Sequence, residues 1–446
     1  MNRDWSLHRA IWAIALPSML TNVATALFGL ADLWVIGRLG DPAAQGGVEI
    51  GAKFMMGLLV VFNFLRSGTI ALTAQAAGRG DEPVQAETLA RAIGAALLIG
   101  LALLALKPVL APLGLDLLYA RGRVAAEASI YIGIRYWSGP LWLLNAVLTG
   151  WMVGRRRVRS VLAVEVGSNL LHIALDSLFV LGFGWGVAGV ATATFSSEAA
   201  KTLALALLVA AQHPASAAFR LAARRATWSR AALGALFRLN RDLFLRTLLL
   251  TASILALTRA GAHQGPLVLA ANGVLYQLFM LSALILDGFE SAAQVLCGEA
   301  IGAGDRARFG RLVRALLLWG LFGGALISAI YAIAGDRFAA SFSTSPAVVA
   351  TILRYSPWAI LLPIAGVTSY IFDGIFIGAT WTRGLMLSMV AASFLYMVLL
   401  LALAPFGNHG LWLAFTLFLL ARAAAQAWLL PRLSRRAFAD AALPAC

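Results

Sequence analysis

Apolar residues gather into twelve long runs, at about 11–37, 43–76, 88–113, 126–151, 160–183, 186–211, 234–261, 266–300, 309–334, 347–378, 384–404 and 409–431. Each is long enough to cross a hydrocarbon layer of ~30 Å as a helix of ~20 residues. The runs are rich in Leu and Ala and lack the alternation of barrel strands, so the pattern predicts helices. They fall six and six, with a basic stretch between. The expected architecture is an all-α polytopic membrane protein with twelve transmembrane helices: an N-terminal six-helix lobe at 1–211, a basic linker at 212–232 and a C-terminal six-helix lobe at 233–446.

Composition agrees with this pattern. In a chain of 446 residues, 61% hydrophobic and only 12% charged residues exclude a string of soluble domains, which could not cover their surfaces with polar groups. The net charge of +15 would suggest a nucleic-acid partner in a soluble protein. Here the arginines sit in alternate connections, such as Arg155, Arg156, Arg157 and Arg159, then Arg220, Arg224, Arg225 and Arg230, then Arg306, Arg308 and Arg311. That asymmetry predicts both termini in the cytoplasm of a bacterium, the chain lying in its plasma (inner) membrane, with no role for nucleic acid. The first run contains Asp32 and no small-residue cleavage site, so it reads as a retained span. Cys297 and Cys446 suggest neither a disulfide framework nor a metal cluster.

The two halves repeat. GRGD ends at Asp81 and GAGD at Asp305, an offset of 224 (305 − 81) that also relates Gly37 to Gly261, Pro42 to Pro266, Gly150 to Gly374, Gly154 to Gly378, Arg159 to Arg383 and Gly186 to Gly410. An even number of spans per half gives both halves one orientation, the parallel repeat found in carriers with a midplane cavity. A transporter is the default reading.

Ionisable groups in hydrocarbon are costly, so each is a functional candidate. The fifth run places Glu165, Asn169, His172 and Asp176 at steps of four, three and four, on one helix face. Asp32 in the first run, Asp176 in the fifth and Thr194 in the sixth fall at one depth in the outward half of the first lobe. Two carboxylates, an imidazole and a hydroxyl at one level suit the uptake and release of a proton, and the oxygens equally suit Na+. At an offset of 224, Asp32 meets Ala256 and Asp176 meets Leu400, so this pair belongs to the first half alone. In the second half Asp287 and Glu290, near the middle of the eighth run, are candidates for touching substrate, as are the aromatics Tyr276 and Tyr370 through cation–π contact; Glu165 is the corresponding candidate in the first. Asp373 reads as interfacial, and Arg66, Glu198 and Lys201 as residues that snorkel. No GxxxxGK[ST] loop, HExxH motif or GxSxG elbow occurs, so neither ATP nor an enzymatic cofactor is expected.

With these residues in view, the chain resembles the multidrug and toxic compound extrusion (MATE) transporters, in particular their DinF (DNA-damage-inducible F) branch. The carriers are LADLWVIGRLG, FLRSGTIALTAQAAGRGD, NLLHIALDSLFVLGFGWGVAGVATAT, LDGFESAAQVLCGEAIGAGD and FDGIFIGATWTR, in this order. The resemblance implies a two-lobe, twelve-helix fold and export of cationic or amphipathic small molecules in exchange for H+ or Na+. It matches Asp32 and Asp176 to the family's acids of the first and fifth helices, and Thr194 to its hydroxyl of the sixth. The family pattern N-x-x-N-x-x-x-D keeps its first Asn as Asn169 but has His172 at the second. An imidazole is a poor ligand for a hard ion, which favours H+. The expected partners are drug-like or toxic small molecules and membrane lipid, and one chain suffices to form the cavity. The alternative is a lipid-linked precursor flippase of the same superfamily, which would carry basic residues in a hydrated cavity.

Overall fold

The computed structural model describes residues 2–38, 40–213, 215–342 and 345–440; for residues 2–4, 26–33, 216, 219, 336, 338–340, 342 and 440 it describes the backbone only. The described chain makes twelve helical passes. They are α1 (Asn2–Gly37), α2 (Pro42–Arg79), α3 (Glu82–Leu117), α4 (Gly122–Arg135 continued through a 3-10 turn into Gly139–Gly154), α5 (Val158–Gly182), α6 (Gly186–Ala210), α7 (Arg230–Ala262), α8 (Pro266–Gly302), α9 (Arg306–Phe342), α10 (Pro346–Gly378), α11 (Thr382–Ala402) and α12 (Gly407–Asp440). Ten are long and apolar enough to cross a membrane by length and composition. A short helix, Ala215–Ala222, lies between α6 and α7.

The repeated GxGD motif is a helix joint. Gly80 and Gly304 both adopt φ near +70°, which ends one helix at a residue free of the Cβ clash, and the next Asp starts another. Asp81 N donates to Ala76 O and its Oδ1 accepts from Val84 N at 3.0 Å; Asp305 N donates to Ala300 O and its Oδ1 accepts from Arg308 N at 2.8 Å. Arg156 and Thr380, also 224 apart, share the left-handed conformation at φ 62° and 59° at the next joint. The offset read from the sequence therefore recurs in backbone geometry.

Contacts divide the chain into two compact units, Leu20–Leu236 and Phe237–Cys446 together with Met1–Met19. In the first, α2 packs on α4 where Gly150 and Gly154 face the carbonyls of Arg66 and Ile70; a Cβ would stand 2.7 and 2.9 Å from those oxygens. In the second, Gly374 and Gly378 on α10 face the carbonyls of Glu290 and Gln294 on α8, with 2.4 and 2.3 Å available. Both contacts sit at the same offset and need glycine, because no side chain fits such a gap. The second unit also holds the first turns of α1. Gly288 admits Ala15 and Met19, Trp12 meets Phe289 and Trp319 edge-on, and Trp319 Nε1 donates to His8 Nδ1 at 3.0 Å.

Candidate functional site

The α5 stripe predicted from spacing is real and turns inward. His172 and Asp176 are fully buried, Glu165 is nearly so and Asn169 is half-buried. His172 Nε2 lies 2.9 Å from Asp176 Oδ2, and its Nδ1 lies 3.2 Å from Ser197 Oγ on α6. Ser197 Oγ in turn donates to Thr194 O at 2.9 Å, while the Thr194 hydroxyl donates to Val190 O. Thr194 thus joins the site through its carbonyl and the intervening Ser197, a link absent from the sequence reading. Immediately after Asp176 the helix widens into a π-helical stretch, Ser177–Gly182, stabilised outside by stacking of Phe179 on Trp185 at 5.0 Å. Such stretches concentrate at functional sites because they free backbone groups and re-aim side chains.

This chain of groups has two hydrogen-bonding states. With Ser197 donating to Thr194 O, His172 Nδ1 must donate to Ser197 Oγ, and a doubly protonated imidazole would in addition turn an Nε2 hydrogen toward Asp176. If the imidazole instead loses its Nδ1 proton and keeps its hydrogen on Nε2, toward the carboxylate, Nδ1 accepts from a rotated Ser197 hydroxyl. One proton thus reorients a hydroxyl on the neighbouring helix. Asp32 is on α1, and its side chain lies outside the described residues.

Eleven residues before Asp176 on α5, a rise of ~16 Å, lies a second set. Lys201 Nζ meets Glu165 Oε1 at 2.7 Å, with Glu198 and Arg66 within electrostatic reach. Asn145 Nδ2 donates to Glu198 Oε2 at 2.6 Å. Lys201 and Glu198, expected to snorkel, are instead held by partners on α5 and α4. Glu165 is satisfied by Lys201. Between the two sets Asn169 Nδ2 is buried without a partner, and Ser168 Oγ donates to Ser197 O.

In the other unit the structure corrects the placing of Asp373. Expected at the interface, it has no exposed surface: Oδ2 accepts from both Arg246 on α7 and Arg422 on α12, and Oδ1 accepts from Gln426 Nε2 at 2.6 Å. Depth along one helix cannot reveal that two other helices cover the residue. Asp287 and Glu290 stand beside this group, half-buried, with Tyr370 close by; Gln294 Nε2 donates to Glu290 Oε1 at 3.0 Å. Tyr276 is not part of it, being three helical turns away on α8 against Phe279. Arg246 and Arg422 escaped the sequence reading, although an arginine inside an apolar run is as costly as an acid. Among the described residues no group of three His, Cys, Asp or Glu side chains is placed to hold a metal ion.

Comparison with known proteins adds to this picture. The model of the MatE family matches twice, over residues 17–178 and 243–402, and the two matched segments end 224 residues apart (402 − 178). The chain is 35% identical over 417 residues to the DNA damage-inducible protein F of Escherichia coli, covering 94% of this chain and 90% of that protein. It is 26% identical to a probable multidrug resistance protein NorM of Rhizobium meliloti, over 98% and 96% of the two chains. Its fold matches an outward-facing multidrug resistance MATE family transporter of the MOP superfamily with a TM-score of 0.86, at 18% identity and over 96% of each chain.

Proposed function

The chain belongs to the MatE family, whose members are transporters and not enzymes, and from that membership we propose that it is a secondary active exporter of cationic or amphipathic small molecules, driven by H+. Asp176, His172 and Asp32 carry the coupling proton, with Ser197 and Thr194 as its hydrogen-bonding frame and Asn169 beside it. Protonation and substrate binding compete through their different preferences for inward-open and outward-open states. The observation that supports this reading best is the His172–Asp176 contact at 2.9 Å in a site without exposed surface. The nitrogen on this carboxylate occupies the place an ion would need, and makes Na+ the weaker candidate. The protein is placed in the bacterial inner membrane with both termini cytoplasmic, where the arginine-rich connections face the negative side, and it works as a single chain.

The flippase reading has one observation in its favour, the two buried arginines of the second unit. Both are bound to Asp373, however, so they present no open basic surface to a lipid-linked phosphate.

The test is efflux of ethidium from proteoliposomes under an imposed pH gradient and, separately, a Na+ gradient. Flux driven by pH alone, and reduced at least about tenfold in Asp32→Asn and Asp176→Asn, is expected, a loss of about 1.4 kcal/mol or more in transition-state terms. Flux driven only by Na+, or unchanged in both variants, would sink the assignment.

A further inference from the structure

The short helix between α6 and α7 closes a cavity that the export reading does not use. About 390 Å³ of apolar space lies within the Leu20–Leu236 unit, between Leu89 and Ile93 of α3 and Ala206 and Ala210 of α6, over Leu148 of α4. The helix Ala215–Ala222 forms its end wall with Ala215, Ala218 and Ala222, which steps of three and four place on one face. Both α3 and α6 pack on α4, and the short helix packs on α3, so α4 and the short helix frame the gap between the other two. Ile93 is eleven residues after Glu82, a rise of ~16 Å, and Ala210 is the last residue of α6, so the cavity sits at one end of both spans.

Its open side faces lipid. Ala206 and Ala210 are exposed although they line the cavity, and Leu203 and Leu207 continue the same exposed face of α6. On α3 the face of Ile93 continues through the exposed Leu97 and Leu101, at steps of four. Two aliphatic tracks therefore lead out of the cavity toward the middle of the spans. The closed side is built firmly. Arg91 Nε donates to Thr227 O and Trp228 Nε1 to Ala222 O, both at 2.8 Å, and the Thr227 hydroxyl donates to Leu221 O at 2.7 Å. Gly94 admits the Trp228 ring to a place where a Cβ would clash. The chain after the short helix is thus strapped to α3, which fixes the size of the gap. An aliphatic cavity of about 150 Å³ already stays dry and takes up apolar molecules, and this one is more than twice as large.

Charge selects the occupant. Arg220 lies on the face of the short helix opposite Ala218, Arg224 and Arg225 follow at its end, and all three are exposed. The carboxylates at the start of α3 are already engaged, Glu87 by Arg91 at 2.6 Å and Glu82 by His213 at 3.3 Å, so the three guanidiniums are left for an anion. A cationic substrate is repelled here. We propose that this corner of the Leu20–Leu236 unit binds an anionic phospholipid, with one acyl chain in the cavity and along the aliphatic tracks and the phosphate held by Arg220, Arg224 and Arg225. An acyl chain is the long, narrow apolar group that can fill the cavity while staying continuous with the lipid outside, and each buried methylene adds to its binding. Basic residues at the cytoplasmic end of a span suit anionic headgroups; with the linker cytoplasmic, as proposed above, the lipid comes from the inner leaflet. Occupancy completes the wall beneath the short helix and stabilises the unit by mass action.

The experiment is native mass spectrometry of the delipidated full-length chain in a neutral detergent, titrated with palmitoyl-oleoyl phosphatidylglycerol or, in parallel, with phosphatidylcholine of the same chains. Phosphatidylglycerol should bind at least about fivefold more tightly. Arg224→Gln combined with Arg225→Gln should weaken it about 10- to 30-fold, about fivefold for each arginine, and leave phosphatidylcholine within about twofold. Ala218→Phe fills the cavity from the short helix and should weaken both lipids; Ala206→Phe fills it from the exposed face of α6 and should do the same with the linker untouched. The thermal midpoint of the wild type should rise with added phosphatidylglycerol, and those of the variants should not. Glycerol 3-phosphate, the headgroup anion without a tail, should not compete. The titration needs neither a gradient nor a membrane orientation, so it tests this site whatever becomes of the export reading. Equal binding of the two lipids, binding unchanged by the arginine variant or by both cavity-filling variants, or displacement by glycerol 3-phosphate would overturn the proposal.

Discussion

The two units are copies of one scaffold that diverge at one end of the helices and mirror each other at the other. At an offset of 224, His172, Asp176, Ser197 and Thr194 correspond to Tyr396, Leu400, Ala421 and Phe418. Where the first unit brings His172, Asp176 and Ser197 together, the second has an aromatic cluster, with Tyr396 and Phe418 centroids 5.2 Å apart and Phe415 beside both. Elsewhere both units are charged, but with opposite signs at matched positions: Arg66 on α2 corresponds to Glu290 on α8, and Glu198 on α6 to Arg422 on α12. Shared positions thus need charge as such, held in compensated clusters, whereas the site that distinguishes the copies is polar in one and apolar in the other. Divergence between equivalent positions is the better guide to the function, because packing demands act on both copies alike.

This comparison breaks most visibly at Asp373. Replacing it with Ala leaves two buried guanidiniums facing each other, and uncompensated buried charge costs about 3–5 kcal/mol. Asp373→Ala should therefore lower the thermal midpoint in detergent far more than Asp176→Asn, which keeps a hydrogen-bonding partner for His172. Equal destabilisation by the two would mean that Asp176 is as structural as Asp373 and would erase the distinction between the units.

A smaller effect is expected in the matching cluster of the first unit. Lys201→Met strands Glu165, whose side chain is 12% exposed, and should cost about 2 kcal/mol; the double variant Glu165→Met with Lys201→Met should recover most of it, since a well-packed apolar pair replaces a buried ion pair at little cost. Thermal unfolding of both proteins measures the coupling. Additive losses would show that the two side chains do not act as a pair.

The helices and the repeat were legible because their causes are local: run length, Gly at the left-handed joint, Asp as N-cap. The α5 stripe was legible for the same reason, as the spacing of Glu165, Asn169, His172 and Asp176 fixes one face. What each side chain meets is a property of neighbouring helices, which no periodicity reports. Ser197 looked like an ordinary serine of α6 until His172 pointed at it, and Asp373 looked interfacial until α7 and α12 covered it with Arg246 and Arg422. The repeat contained the missing signal. Reading Arg422 against Glu198, and Glu290 against Arg66, at the common offset shows that these positions carry charge in both halves, which lipid-facing residues would not.

The finest test of the comparison is His172→Asn, which brings back the N-x-x-N-x-x-x-D pattern without touching Asp176. Asn can still donate to the carboxylate, so a stability change below about 1 kcal/mol is expected, typical of a replaced buried hydrogen bond. What it cannot do is carry a proton between Asp176 and Ser197, and its carbonyl oxygen is a ligand suited to a hard cation. Ethidium efflux driven by a pH gradient should weaken, and a Na+ gradient should drive the variant more strongly than the wild type. Were the pH profile and the ion preference to stay as they are, His172 would be a packing residue like its counterpart Tyr396, and the choice of coupling ion would rest with the carboxylates alone.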